Sequence, residues 1–242
     1  MIVWGDSHAD QWVPAVTRWA AGTKDWKVEQ LTRIVCPPVL GLSPMSKGVV
    51  DPPCPKFNDA VIRRIEATKE PVIVVLAARW APRIGIQIFE DEVASQMFID
   101  VHAQTAAEAQ KAFQVGLRNT LERLNRLKIP TVLVLQSPVP ERVPATCVYR
   151  IGADKCGLAR NRLLRQTAVV DAIIRDVAST GANSAILDPV TFLCTERECP
   201  AVIDGRVAYY DQVHVAASTA QSPGSLAIWA SKLDAARLKA GH

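Results

Sequence analysis

The stretch V-W-G-D-S-H-A at residues 3–9 decides how this chain of 242 residues is interpreted. Residues 1–4 form a short apolar run that predicts a strand, and the G-D-S that follows has the composition of a tight turn. Residues 10–20 carry apolar side chains at helical spacing. A strand that passes through a turn into a helix places the turn at the carboxyl edge of a sheet, beside free backbone N–H groups. Ser7 is therefore a candidate nucleophile, and the alternative is a turn that only caps a helix.

The composition predicts a folded domain. Hydrophobic residues make up 49% of the chain and charged residues 21%, which suits a packed core. The net charge is +4 with Lys and Arg scattered along the chain, so nucleic acid is not an expected partner. No apolar run is long enough to span a membrane, and residues 1–10 do not have the pattern of a signal peptide. Because the chain begins inside its first predicted strand, we expect it to be the downstream part of a longer polypeptide or to have a misplaced start.

The six cysteines fall into three neighbouring pairs in Pro- or Gly-containing segments. We predict the disulfides Cys36–Cys54, Cys147–Cys156 and Cys194–Cys199, although six cysteines allow fifteen pairings. Such bridges indicate an oxidising compartment. The alternative is a metal site, but the chain has no C-x-x-C motif and only four histidines. We therefore predict neither a metal nor another cofactor.

Strand and helix patterns alternate along the chain. Predicted strands lie at residues 1–4, 27–35, 71–78, 130–136 and 184–187. Predicted helices lie at residues 10–20, 57–68, 105–127, 159–180 and 225–239. Two segments do not fit this alternation, since residues 84–102 suit either a hairpin or a loop and residues 137–157 form a Pro-rich loop. The alternation predicts one α/β domain over residues 1–242 with a doubly wound parallel sheet, whose site lies at the carboxyl ends of the strands.

A second decisive stretch is Y-Y-D-Q-V-H at residues 209–214. A serine nucleophile needs a base to take its proton, and the base is usually a histidine whose tautomer is fixed by a carboxylate. Asp211 and His214, three residues apart, can supply both roles from one segment. With Ser7 they predict a triad, whereas alone they would be compatible with a surface turn.

The two end motifs together resemble the SGNH (GDSL-like) hydrolase superfamily. More narrowly, the chain resembles the SGNH domain at the C-terminus of bacterial membrane acyltransferases of family 3, which O-acetylate surface polysaccharides. Supporting segments are V-V-L-A-A-R-W-A at residues 74–81 and C-T-E-R-E-C-P at residues 194–200. The resemblance implies a flavodoxin-like α/β/α sandwich of three layers with a mostly parallel sheet. It also implies acyl transfer through an acyl-serine, with Ser7 as nucleophile, His214 as base and Asp211 as the residue that orients it.

The resemblance also implies an oxyanion hole, and here the sequence departs from the family. The family takes donors from the serine N–H, a glycine and an asparagine, but A-A-R-W at residues 77–80 contains no asparagine. We expect donors from Ser7, Gly41 and Arg79, with a backbone amide as the alternative to the Arg79 side chain. Arg79 could instead form a structural ion pair, and Gly41 could serve only as a turn residue. His8, Trp80 and Tyr210 are candidate substrate-binding residues, because they flank the motifs and aromatic rings stack on sugars.

The predicted function is serine-dependent transfer of an acyl group, such as acetyl, to a bacterial cell-surface or periplasmic polysaccharide. The expected partners are a glycan acceptor, an acyl donor and a membrane acyltransferase domain, upstream in the same chain or acting in trans. This setting implies a periplasmic location, or a secreted one if the domain stands alone. Two alternatives remain open: a stand-alone carbohydrate or lipid esterase with the same triad, and a catalytically idle glycan-binding domain, which the missing asparagine motivates.

Overall fold

A parallel sheet of five strands forms the centre of the computed structural model, which describes residues 1–23, 25–90 and 93–240. The strands, in chain order, are β1 (Ile2–Gly5), β2 (Glu29–Thr32), β3 (Met45–Ser46), β4 (Val49–Val50), β5 (Val74–Ala77), β6 (Thr131–Val134), β7 (Leu158–Ala159), β8 (Ser184–Leu187), β9 (Glu198–Cys199), β10 (Val202–Ile203) and β11 (Arg206–Val207). The central sheet has the order β2-β1-β5-β6-β8, and the remaining strands form short antiparallel pairs. This order is that of flavodoxin-like sheets.

Helices cover both faces of the sheet. They are α1 (Ser7–Asp10), α2 (Val13–Thr23), α3 (Pro53–Glu66), α4 (Ala106–Arg126), α5 (Pro144–Ile151), α6 (Arg160–Ser179), α7 (Val190–Leu193), α8 (Ala217–Ala220) and α9 (Pro223–Lys239). Short 3₁₀ turns lie at Ala81–Ile84, Ala94–Met97 and Ala153–Lys155. Within the described ranges, no helix is long and apolar enough to cross a membrane.

Successive side chains along each strand point to opposite faces of the sheet and so form two separate cores. This is expected for a sheet that is buried on both faces. Trp4 and Leu76 pack with α3, α4 and α6 on one face. Val3 and Val75 pack with α2 and α9 on the other. The predicted three-layer α/β/α sandwich is therefore confirmed.

Several predicted boundaries were wrong for local physical reasons. The first helix begins at Ser7 because the Asp6 side chain caps it, and it breaks before α2. The strand predicted at 27–35 ends at Thr32, opposite Gly5, since a turn follows. The 137–157 loop contains α5, which begins with a proline at its first position. The 84–102 segment, for which the sequence allowed a hairpin or a loop, is in its described part a loop that contains the 3₁₀ turn Ala94–Met97; residues 91 and 92 lie outside the described residues.

The predicted disulfides are confirmed: Cys36–Cys54, Cys147–Cys156 and Cys194–Cys199 are all bonded. Each bridge closes a loop outside the central sheet. Three bridges in one domain are typical of proteins from oxidising compartments.

Candidate active site

Ser7 lies two residues after the end of β1, where the backbones of β1 and β5 approach each other closely. A Cβ on Gly5 would lie 1.8 Å from the Ala77 carbonyl oxygen, so only glycine fits there. The Asp6 carboxylate then accepts the N–H groups of His8 at 2.8 Å and Arg79 at 3.0 Å. Burial raises the pKa of Asp6, although the N–H groups of Arg79 and His8 act in the opposite direction. Asp6 thus fixes the turn that presents Ser7 and ties it to the end of β5.

His214 comes to Ser7 from the other end of the chain, on a loop closed by a bridge between Tyr209 and Val215. Asp211 Oδ1 accepts the backbone N–H groups of Val213 and His214, both at 2.8 Å. Its other oxygen, Oδ2, lies 2.8 Å from His214 Nδ1. One carboxylate therefore shapes the loop and orients the ring.

A continuous hydrogen-bond chain joins Asp211, His214 and Ser7, with His214 Nε2 2.8 Å from Ser7 Oγ. Burial opposes ionisation of Asp211, but its hydrogen bonds from His214 and Val213 outweigh burial and lower the pKa of the carboxyl. An ionised Asp211 accepts Nδ1–H, which leaves Nε2 as the acceptor of the Ser7 proton. This arrangement can activate a serine hydroxyl for attack on a carbonyl carbon.

Gln11 is a positioning residue that the sequence did not suggest. It is buried at the break between α1 and α2, and its Oε1 accepts the N–H of Val215 at 2.8 Å. Its Nε2 donates to Ser137 Oγ at 3.0 Å. Gln11 therefore fixes the loop of His214 against the element that carries Ser7. No local sequence signal marks a contact between residues so far apart in the chain.

His8, predicted to bind substrate, is instead buried behind the triad with only 2% of its surface exposed. Its ring lies 5.0 Å from the ring of His214, centroid to centroid. Neither ring nitrogen has a hydrogen-bond partner among the residues described here. Burial, followed by the nearby charges of His214 and Arg79, lowers the pKa of His8 well below its ordinary value. A neutral His8 ring therefore forms a wall against which His214 packs.

An open pocket of about 350 Å³ lies in front of Ser7 and His214. Tyr210 lines it and is 81% exposed, which leaves its ring free to contact a ligand. Trp80, by contrast, is fully buried: its Nε1 donates to the Val134 carbonyl, and its ring packs on Phe113. The prediction that Trp80 binds substrate was therefore wrong, because its side chain points into the core.

The other predicted oxyanion donors, Gly41 and Arg79, lie in segments with contacts outside the triad. Gly41 is exposed, and the N–H of its neighbour Leu40 donates to Thr120 Oγ1 on α4. The backbone N–H of Arg79 is used by Asp6, while its guanidinium lies 5.4 Å from the centroid of the Phe89 ring. The structure therefore brings Ser7, Asp211 and His214 together, but it shows no hydrogen bond from Gly41 or Arg79 to this triad in the described residues.

No group of three or more His, Cys, Asp or Glu side chains in the described part of the chain could hold a metal ion. Near Ser7, the side chains of Asp6 and Gln11 are engaged in hydrogen bonds within the protein.

Comparison with known proteins identifies the fold and the family of the chain. No curated protein matches the chain in sequence. Among solved structures, the periplasmic domain of a lipopolysaccharide acetyltransferase from Salmonella ser. Paratyphi A matches with a TM-score of 0.60 and 14% identity, over 98% of this chain and 82% of that one. At this identity the likeness shows a shared fold. A family model, the SGNH domain (fused to AT3 domains), matches residues 1–222. The chain therefore belongs to the family of SGNH domains that are fused to AT3 domains.

Proposed function

We propose that this domain transfers an acyl group, such as acetyl, from a donor to a hydroxyl of a bacterial cell-surface or periplasmic polysaccharide, through an acyl-Ser7 intermediate. The hydrogen-bond chain from Asp211 through His214 to Ser7 carries this proposal. The family relation supports acyl transfer or ester hydrolysis as the class of chemistry. The acetyltransferase domain with the same fold supports a glycan acceptor and a periplasmic location.

In the first half-reaction, the Ser7 hydroxyl gives its proton to His214 Nε2 while Oγ bonds to the carbonyl carbon of the donor. The carbonyl electrons move to the oxygen and return as the leaving group departs with the proton from Nε2. In the second half-reaction, a sugar hydroxyl gives its proton to Nε2 and bonds to the acyl carbon. Ser7 Oγ then leaves and takes that proton back, so the free enzyme is regenerated. Asp211 stabilises the imidazolium of His214 in both steps.

We place the acceptor sugar in the open pocket in front of Ser7 and His214. Exposed Tyr210 offers a ring on which a sugar can stack beside Ser7. The fusion of this family to AT3 domains supports delivery of the acyl group by a membrane acyltransferase domain, either in the same polypeptide or in trans. We further propose that residues 1–242 form a single SGNH domain that acts as the C-terminal part of such an enzyme.

Incubation with p-nitrophenyl acetate, compared with a Ser7→Ala variant, tests the chemistry. We expect nitrophenolate release only from the wild type, and a peptide carrying acetyl on Ser7 in mass spectra of the quenched reaction. Equal release by both proteins would sink the proposal. Retention on glycan columns without any turnover would instead favour an idle binding domain.

A second experiment separates transfer from hydrolysis. De-O-acetylated bacterial surface polysaccharides are added to the acetylated enzyme, and the products are measured by NMR. Acetyl esters on the glycan support transfer. Free acetate as the sole product with every glycan favours the esterase, whose acceptor is water.

A further inference from the structure

Two loops flank the carboxyl end of β1: the loop after β2 and the loop after β5. In the loop after β5, the backbone N–H groups of residues 79–81 are hydrogen-bonded within the protein. The Arg79 N–H donates to the Asp6 carboxylate. The N–H groups of Trp80 and Ala81 both donate to Gln136 Oε1, at 2.8 and 3.0 Å. This loop therefore offers none of these three groups to an oxyanion that develops in front of Ser7.

The loop after β2 differs in this respect. The Arg33 N–H donates to the Gly5 carbonyl at 3.0 Å, so the pairing of this chain segment with β1 continues to the edge of the site. The Cys36 N–H then donates to the Arg33 carbonyl at 3.0 Å and closes a tight turn, with Ile34 and Val35 at its centre. Across the described ranges, no acceptor pairs with the N–H of Ile34, Val35 or Ser7. Donors without an acceptor therefore lie in the segment that follows β2, next to the end of β1 from which the Ser7 turn begins.

Val35 adopts a conformation that valine normally avoids. Its φ is +66°, in the left-handed region, where the second central residue of this kind of turn is usually glycine. For an L-residue the left-handed conformation carries a penalty of about five- to thirtyfold in population. A strained residue next to a nucleophile needs a contact that holds it.

Arg83 provides that contact. Its guanidinium is 2% exposed and donates from Nη2 to the Val35 carbonyl at 2.6 Å. From Nη1 it donates to the carbonyls of Met45 at 2.6 Å and Met97 at 3.3 Å. Burial lowers the pKa of Arg83 to about 10, so the group is still charged at neutral pH. A planar fork fixed by three carbonyls can hold the turn in one conformation, which a lysine ammonium cannot do.

We propose that the turn of Ile34 and Val35 supplies the second oxyanion donor beside the Ser7 N–H, and that Arg83 is the positioning residue that holds this turn in its left-handed form. This inference rests on the proposed function, since an oxyanion forms only when Ser7 attacks. It replaces Gly41, whose loop is attached to α4, as the source of the second donor.

A double-mutant cycle tests the role of Arg83. Loss of one oxyanion donor costs about 10²- to 10³-fold in kcat. We expect Arg83→Lys to lower kcat for p-nitrophenyl acetate by about 10²-fold with little change in KM, since the lost contact acts in the transition state. Because glycine adopts the left-handed region freely, adding Val35→Gly should recover about five- to thirtyfold of that loss.

Lys128→Gly is the matched control. Lys128 also has a positive φ, +56°, but it lies between α4 and β6 at the opposite edge of the sheet. In the Arg83→Lys background it relieves similar strain without touching the turn, so we expect a gain in melting temperature and no recovery of kcat. Equal recovery by both glycines, or an unchanged kcat in Arg83→Lys, would overturn the inference.

A covalent adduct gives a readout on the wild-type protein that does not depend on the Arg83 variants folding. Diethyl p-nitrophenyl phosphate phosphorylates an active serine: Ser7 Oγ bonds to phosphorus, nitrophenolate leaves, and the serine proton passes to His214. The phosphoryl oxygen then lies where the acyl oxygen would be. We expect the amide resonance of Val35 or Ile34 to move downfield in the adduct while that of Gly41 stays in place.

The two hypotheses fail in different ways in this experiment. Absence of a Ser7 adduct in the mass spectrum would refute the proposed function. Formation of the adduct with unmoved amides of Ile34 and Val35 would refute only the inference about the turn. Movement of the Gly41 amide would assign the donor to that residue instead.

Discussion

Replacing Asp171 with asparagine should stabilise the protein at neutral and alkaline pH and have little effect in acid. Asp171 lies on α6, and its Oδ1 accepts the backbone N–H of Gln136 at 3.2 Å. Burial, opposed by this hydrogen bond and reinforced by the charge of Asp188, raises the pKa of Asp171 to about 7 from its ordinary value of 3.8. The folded protein therefore favours the protonated carboxyl more strongly than the unfolded chain does.

The sign of the effect follows from linkage. The contribution of Asp171 to stability is fully present below the unfolded pKa of 3.8 and is lost as the pH rises through about 7. The difference of about 3 pKa units, at 1.36 kcal/mol each, gives at most about 4 kcal/mol. Because the side chain is only partly buried, we expect a measured loss of about 2–4 kcal/mol. Asparagine keeps an acceptor for the Gln136 N–H and has no charge to bury.

Urea unfolding at a series of pH values measures this effect. The free energy of unfolding of Asp171→Asn minus that of the wild type should grow from near zero at about pH 4 to its maximum above about pH 8. Asp154→Asn, at an exposed position, controls for the change in net charge. A difference that stays constant with pH would refute the argument, since it would show that Asp171 titrates alike in both states.

Three further substitutions test other parts of the structure. Asp211→Asn should lower kcat for p-nitrophenyl acetate about 10³- to 10⁴-fold, because the wrong tautomer of His214 would then face Ser7. The melting temperature should change little. His8→Leu should raise the free energy of unfolding by about 1 kcal/mol in urea and keep most of kcat, because it removes two unpaired buried nitrogens. Replacing Cys36 and Cys54 by serine should cost about 3 kcal/mol of unfolding free energy, as expected for an 18-residue separation.

The central sheet could be predicted because its strands have two buried faces. A continuous β-branched run such as residues 71–78 can be satisfied only between two layers of helices, so the pattern itself indicates the architecture. Strand ends could not be predicted in this way. The run at residues 27–35 looks extended throughout, yet pairing with β1 ends at Thr32, after which a hydrogen-bonded turn begins. Where a strand stops depends on its neighbour rather than on its own composition.

The triad residues could be proposed because the residue types and spacing in each end motif suit a specific catalytic role. A serine in a strand-to-helix turn and a carboxylate three residues before a histidine each limit the possible roles. Trp80 could not be placed correctly, because a side chain that follows a buried strand can point toward the site or into the core. Gln11 gave no signal, since its hydrogen bond to the Val215 N–H joins residues that meet only in the folded chain.

The proposed oxyanion donor was the hardest part of the site to anticipate, because it depends on backbone conformation rather than on residue type. Glycine is the expected residue at a left-handed turn position. The sequence pointed to Gly41 because the family takes one of its oxyanion donors from a glycine. At Val35 the same conformation occurs without glycine, since a buried guanidinium holds the adjoining carbonyl. The residue that makes this possible, Arg83, lies in the loop after β5, on the other side of β1. Because this arrangement depends on a contact between two loops, neither loop contains a sequence motif that would predict it.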